Sequence, residues 1–571
     1  MTYPRTTETM LRYAGWFFLA TAFSSAASAA DYYVSPSGSD TSNGTSVSSP
    51  WRTIARANAV LRAGDTLHMR GGEYVDDPIV PSASGRAGSP IVYTAYQAER
   101  PVLTSNRVLG LADAILLRNI SYIVVQRVAV DGRAPAPQAT VAHFATLDGA
   151  TYIELRDCDF KHADGWAGIN LYGDAHHNLI VRNRIDFVGS YARDGDDFGD
   201  SIWIDTQSHH NLVASNFITH GGHDLVRTKG YNNIVQDNVL DNDWSDVMGE
   251  GLGARNAVID GIRNVFQRNI VRGTKRSIDS PWNQATKIEG TGTIARRNLI
   301  IDNHDVAISS EVGSWQWYAR DARIYNNTIY NNGGAAWRVR YYEAGTRPSG
   351  NEFKNNLVYR NRQTPSNGVN NISDSDIFMY MIDSGADAPA DNRVINNLVT
   401  KSATGDGRVY LDPPSLLGPL TDAERRYPSQ IRSNIQAVPI FVASQPRVFR
   451  DFELAAGSPG RDAAAALTTT MGTGSGSEIT VADASYFNDG YGLAPGDTIS
   501  VGAERELRVM RVDFAANKLL LSRSIGWGDR APVTLEYVGA APDIGAVEAG
   551  RAAQFSEKPK APTLSGRKLG N

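Results

Sequence analysis

The chain is expected to fold as an all-β stack of parallel coils, and three observations carry that expectation. An Asn followed by a short apolar pair recurs at Asn183, Asn216, Asn238, Asn269, Asn298, Asn327, Asn356 and Asn397, in steps of 33, 22, 31, 29, 29, 29 and 41 residues. A self-similar unit of this size marks a stacked-repeat architecture. The apolar runs between these positions are short and lack the roughly 3.6-residue periodicity of a helix. Glycine is abundant, at 53 residues, and Asn-bearing turns recur, as a β protein with many tight turns requires.

Residues 1–30 read as a cleaved secretory signal. Arg5 and Arg12 precede an apolar run from Tyr13 to Phe23, which ends in small residues up to Ala29 and Ala30. The run falls short of the roughly 20 apolar residues that span a bilayer. A secreted or periplasmic bacterial protein without stable membrane insertion is expected. The net charge of −5 argues against a nucleic-acid partner. Cys158 is the single cysteine, so no internal disulfide forms, and its apolar strand context marks a small core residue. The chain is read as a monomer.

Residues 31–110 form an N-terminal cap and first coils: Asp31-Tyr-Tyr-Val, the helix-like Pro50-Trp-Arg-Thr-Ile-Ala, the strand after Ala63-Gly-Asp and the alternating Pro90-Ile-Val-Tyr. This opening resembles the caps of secreted right-handed parallel β-helix proteins, many of which degrade polysaccharides. The resemblance implies the same fold through residues 111–466. There each repeat reads as a strand, the ladder Asn, a second strand, a polar turn and a third strand. Stacked Asn side chains would hydrogen-bond one another in a buried turn, which makes the ladder structural. Arg127 and Asp157 take the equivalent places in two earlier coils. After residue 400 the period fails. Residues 467–540 read as an inserted small β-barrel-like module, carrying Leu493-Ala-Pro-Gly-Asp, Glu506-Leu-Arg-Val and Lys518-Leu-Leu-Leu. Residues 541–550 supply a closing strand and 551–571 a disordered tail.

A β-helix fills its core with inward side chains, so chemistry must lie on an outer face or under loops. Measured forward from the ladder Asn, His223, Asp224, Asp246, Lys275, Arg276, His304 and Asp305 fall at offsets of six to eight. With coils about 4.8 Å apart, they would form one column of imidazole, carboxylate and basic groups suited to acid–base work on an anionic sugar. His220 lies nearby. His176, His177, His209 and His210 recur at one repeat position and read as turn residues. Asp224, Asp246 and Glu250, or the loop Asp194-Gly-Asp-Asp-Phe-Gly-Asp200, could supply the oxygen ligands of a Ca²⁺ ion. Trp203, Trp244, Trp282, Trp315, Trp317 and Trp337 could stack on sugar rings. Arg338, Arg340 and Arg347 could hold carboxylates.

The segment from Lys229 through Asn238 to Glu250 resembles β-helix lyases of the chondroitinase-B and alginate-lyase type. That resemblance implies a polysaccharide lyase acting by β-elimination on an acidic, uronate-containing polymer, with Lys229 as base. Gly222 and Asp224 stand where the family carries paired glutamates. His223, His304, Lys275 and Arg276 complete the expected catalytic set, and Arg227, Arg255, Trp203, Trp244, Trp282, Arg338 and Arg340 the substrate contacts. Gly222-His-Asp and Val271-Arg-Gly-Thr-Lys-Arg also resemble mannuronan C5-epimerases, which begin with the same proton abstraction. A glycoside hydrolase with paired Asp224 and Asp246, and a non-catalytic glycan-binding surface protein, are the other readings.

Overall fold

The computed structural model of the chain describes residues 29–132, 140–189, 199–242, 255–274, 284–304, 306–311, 318–341, 347–362, 375–380, 391–402, 405–412 and 416–551. Residues 1–28 of the expected signal, Asp194 to Asp197 of the acidic loop, Trp244, Asp246, Glu250, Lys275, Arg276, Trp282, Asp305, Trp315, Trp317 and residues 552–571 lie outside them.

Each repeat folds into one coil of three short strands, and each strand pairs in parallel with its counterparts in the coils before and after. One face is a fourteen-stranded sheet that takes every coil in chain order, through Leu179–Val181, Leu212–Ala214, Ile234–Gln236, Val265–Gln267 and Ile294–Arg296. A second stack runs through Arg184–Val188, Phe217–Gly221, Val239–Asp241 and Ile270–Arg272. A third runs through Asp200–Ile204, Asp224–Thr228, Arg255–Ile259, Gln284–Ile288 and Val306–Glu311. Among the described residues helix is confined to two seven-residue segments, Ile54–Val60 and Leu420–Arg426, and a short 3₁₀ turn. None of these helices is long and apolar enough to cross a membrane.

The sequence repeat is the corner that joins the first two stacks. Each ladder Asn donates Nδ2–H to Oδ1 of the next, from Asn183 to Asn397, at 2.9–3.1 Å. Asn434 extends the row. The residue before each Asn is held at positive φ, between 50° and 57° at Arg182, Ser215, Asp237, Arg268, Arg297, Asn326, Asn355 and Asn396. Arg127 and Asp157, also at φ 56°, belong to this preceding position and not to the Asn position. The head of the ladder is therefore Cys158, whose backbone N–H donates to Asn183 Oδ1 at 3.0 Å. Its thiol is wholly buried, which pushes its pKa up to about 12. Two further Asn rows, Asn178–Asn211–Asn233 and Asn303–Asn332–Asn361, stabilise other corners in the same way. His176, His209 and Tyr231 stack as rings along a turn, with centroids 4.9 and 4.5 Å apart.

Residues Thr468–Leu535 form a six-stranded antiparallel sheet. The bridge Thr470↔Val481 joins its two edges, so the module closes on itself. It packs an apolar face, including Ile479, Phe487, Ile499 and Leu507, onto Leu212, Ile234, Val265, Ile294 and Tyr325 of the fourteen-stranded sheet. The chain then returns to the β-helix, where Gly545 and Ala546 meet Asn355 and Thr328.

Candidate active site

Strand register decides which side chains of the third stack face outward. Ile202, Val226, Ala257, Ile308 and Trp337 are in register and buried in the core. One residue on, Trp203, Arg227, Val258, Lys287, Ser309 and Arg338 form an outward row. The next outward row is Asp205, Lys229, Asp260, Glu289 and Glu311, followed by Arg340. Glycine follows this second row at Gly230, Gly261 and Gly290 because successive coils touch there. A Cβ on Gly230 would lie 1.7 Å from the Ser208 carbonyl oxygen, and one on Gly261 1.8 Å from that of Gly230.

At the start of the same strands Asp200, His223, Asp224 and Arg255 form a cluster. His223 Nδ1 is 2.9 Å from Asp200 Oδ1 and 3.4 Å from Asp224 Oδ2. Arg255 Nε donates to Asp224 Oδ1 at 2.7 Å, and Arg255 also reaches Asp224 Oδ2 and the Nε2 of His223. Asp224 is wholly buried, which alone would raise its pKa, but Arg255, His223 and Arg227 hold it below the usual carboxylate value. Asp200 is raised by burial and by the charge of Asp224. The ligand atoms of Asp200, His223 and Asp224 lie within 4.8 Å of one another, a spacing that could hold a cation. Among the described residues the donor set does not fit Ca²⁺. That ion takes about six to eight hard oxygen ligands, whereas these residues offer two carboxylates and an imidazole, with the Arg255 guanidinium already seated on them.

The second outward row carries the unusual acid–base groups. Lys229 is buried, and burial followed by the nearby Arg227 pulls its pKa below that of an ordinary lysine. Its Nζ sits 4.4 Å from the Trp203 ring centroid. Arg227 lies over the same ring at 5.4 Å, and its Nη2 donates to Asp260 Oδ2 at 3.4 Å. Asp260, one coil along from Lys229, is driven well above the usual carboxyl pKa by burial and by the charge of Glu289. Asp260 Oδ1 has no hydrogen-bond donor among the described residues. Two buried carboxyls this close favour a proton on one of them, and the raised pKa of Asp260 points to that residue. Lys287 pairs with Glu289 and neutralises it. Trp166, 45% exposed, meets Trp203 edge-on at 5.4 Å and extends the aromatic wall.

Several expected roles change. Arg338 is wholly buried and bonded to Gln284, Ser309 and Glu311, so it is a strut of the stack and not a substrate contact. Trp337 is also a core residue. Arg255 spends its charge on Asp224, and Asp224, locked by Arg255, is no partner for a hydrolytic pair. The expected column changes in its middle coils, where the places in register with Asp224 are taken by Arg255 and Gln284, and Val306 follows in the fourth coil. His304 stands two residues before Val306, three coils beyond His223, about 14 Å at one strand spacing per coil. His220 is held by Asp186 in the second stack. Arg340 and Arg347 are half-buried.

Asp260, Glu289, Lys287 and Trp166 were not singled out in the sequence, although a signal existed. Lys229-Gly230, Asp260-Gly261 and Glu289-Gly290 each stand nine residues before a ladder Asn, counted back from Asn238, Asn269 and Asn298.

Comparison with known proteins agrees with this architecture. Residues 32–270 match the family model described as Pel9A-like, right handed beta helix region. The chain is 24% identical over 351 residues to the uncharacterized protein YwoF of Bacillus subtilis, covering 58% of this chain and 69% of that one. It is 37% identical over 83 residues to pectate lyase PEL9 of Emericella nidulans, covering 14% of this chain and 20% of the relative. The crystal structure of pectate lyase Pel9A superposes with a TM-score of 0.45 at 15% identity, covering 91% of this chain and 96% of that one.

Proposed function

We propose that this β-helix chain is an exported lyase that cleaves an acidic, uronate-containing polysaccharide by β-elimination. The observation that carries the reading is the outward pair on adjacent coils: a lysine with a lowered pKa, Lys229, and a carboxyl with a raised one, Asp260. The match of residues 32–270 to the Pel9A-like β-helix supports the polysaccharide-lyase class.

β-Elimination needs a base at C5 and an acid at the leaving O4. Neutral Lys229 takes the C5 proton. The C5–H electrons form the C4–C5 double bond as the C4–O4 bond breaks, and protonated Asp260 gives its proton to O4. The carbanion next to the substrate carboxylate needs positive charge nearby, which Arg227 supplies beside both groups. Trp203 and Trp166 offer ring faces to the flanking sugars. No step is assigned to Ca²⁺, so EDTA should leave the rate unchanged. A loss restored by Ca²⁺ would transfer the charge-neutralising role from Arg227 to a cation.

The test is a screen of pectate, alginate, glycosaminoglycans and bacterial gums for the ultraviolet absorbance of an unsaturated uronate. Lys229→Ala should lower the rate by about 100-fold or more, the usual share of a general base. No absorbance on any uronate polymer would end the lyase reading. A glycoside hydrolase is the second reading, because Asp260 and Glu289 are two buried carboxyls of which one carries a proton. New reducing ends without the absorbance would select it. Binding without turnover would select a glycan-binding protein.

A further inference from the structure

We infer that the seam between the C-terminal module and the fourteen-stranded sheet is a second carbohydrate site, in which Arg297 and Arg508 hold a sugar carboxylate. The seam contains a cavity of about 630 Å³, within the usual range of ligand pockets. It lies against Gln236, Gln267 and Arg296 of the first sheet, not on the stack that carries Lys229 and Asp260. Five arginines line it against three acids.

The excess of positive charge has a structural origin. The residues at positive φ before each ladder Asn form their own row, and that row pairs opposite charges across coils. Arg182 makes two bonds of 2.8 Å to Asp157, and Arg268 two of 2.7 Å to Asp237. Arg297 comes next, and its neighbours in the row are Arg268 and Asn326, so the alternation breaks. Asn326 is itself spent on the Asp543 carbonyl. The hydrogen bond recorded for the Arg297 guanidinium goes to a backbone carbonyl, that of Glu536, at 3.3 Å. Burial and the adjacent Arg296 pull its pKa down to about 10, against the opposing charge of Glu548.

Of the acids nearby, Asp497, Glu536 and Glu548 are committed elsewhere, and Glu506 is exposed to solvent. Both oxygens of Asp497 serve Arg296. Glu536 accepts from the Glu506 amide at 2.8 Å and lies 3.6 Å from Arg551. Glu548 accepts the amides of Val538 and Asp543. Arg508 is exposed at the opposite wall with no side-chain ion pair among the described residues. A carboxylate is the ligand group that two such guanidinia fit. That it belongs to a sugar rests on the proposed function; that the seam takes an anion does not. Two sites on different faces would hold one polymer by separate stretches and raise avidity without new active-site contacts.

Calorimetric titration of full-length Lys229→Ala protein with short galacturonate and mannuronate oligomers tests this. Two classes of site are expected. Arg508→Gln, an exposed change that leaves the core intact, and Arg297→Gln should each weaken one class about tenfold or more and leave the other. Neutral oligomers of equal length should not occupy the seam class. Unchanged stoichiometry and affinity in both variants would overturn the site, and equal competition by inorganic sulfate would overturn its assignment to a sugar. Lyase activity in the wild type without Arg297- or Arg508-dependent binding removes the seam alone. Such binding without lyase activity removes the active-site reading alone.

Discussion

Lys229 directly follows the strand Asp224–Thr228, two residues after Arg227, and the two cations share the Trp203 ring. Burial and the Arg227 charge both favour the neutral amine. If neutral Lys229 is the base, the rate should climb as pH rises through its pKa, which lies below the lysine value of 10.5. Arg227→Gln removes a positive charge that favours the neutral form. The pKa of Lys229 should then rise, and the ascending limb of the kcat/KM profile should move to higher pH. The displacement of that limb separates an electrostatic role from a structural one. A fall in rate at every pH with the limb in place would contradict it. The same residue was found in the sequence by resemblance, whereas its partner Asp260 was not. A carboxyl acquires a raised pKa from burial and from Glu289, 29 residues away in sequence, and neither is visible before the coils are stacked.

At the scale of one coil, the Asn ladder was legible because it repeats in sequence, and the site was misaligned because the loops do not. Asp224 lies eight residues after Asn216, but its register partner Arg255 lies 17 after Asn238. Counting forward from the ladder crosses a turn of variable length, so the offset that holds from Asn216 to Asp224 and from Asn298 to Val306 fails at Arg255 and Gln284 in the two coils between. Counting back crosses a turn of fixed length, held by Gly230, Gly261 and Gly290 where coils touch. The ladder is the stiff part of that turn. Asn298 Oδ1 accepts the backbone N–H and Nδ2–H of Asn269, and its own Nδ2 donates to Phe266 and Asn327. Asn298→Ala strands two buried donors, at about 1–3 kcal/mol for each unmet group. A loss of roughly 2–6 kcal/mol in denaturant unfolding is expected. A change below about 0.5 kcal/mol, the range of surface substitutions, would show that the row is ornamental.

For the whole molecule, the question is whether the module is a tethered passenger or part of one folding unit. The alternating strands of residues 467–540 announced a separate β module, but nothing in their pattern showed where it would dock. Its partners are single side chains on distant coils. Arg296 bonds Asp497 and the Tyr325 hydroxyl, Arg323 pairs with Asp483 at 2.9 Å, and Tyr325 donates to the Tyr486 carbonyl at 2.6 Å. Arg296 is buried with 2% exposure, so its charge is tolerable only while Asp497 faces it. Removing one member of a buried ion pair costs about 3–5 kcal/mol, because the other charge is left without water or a partner. Asp497→Ala should therefore lower the stability of module and β-helix together, in one transition seen both by tryptophan fluorescence and by far-ultraviolet circular dichroism. Arg296→Met with Asp497→Leu, which removes both charges, should recover most of the loss. Two separate transitions in the wild-type chain, or an unchanged midpoint in Asp497→Ala, would mean that the module folds alone and the seam is only a contact. The cavity beside Arg297 depends on the docked arrangement, so a module that undocks reversibly would also lose the second sugar site.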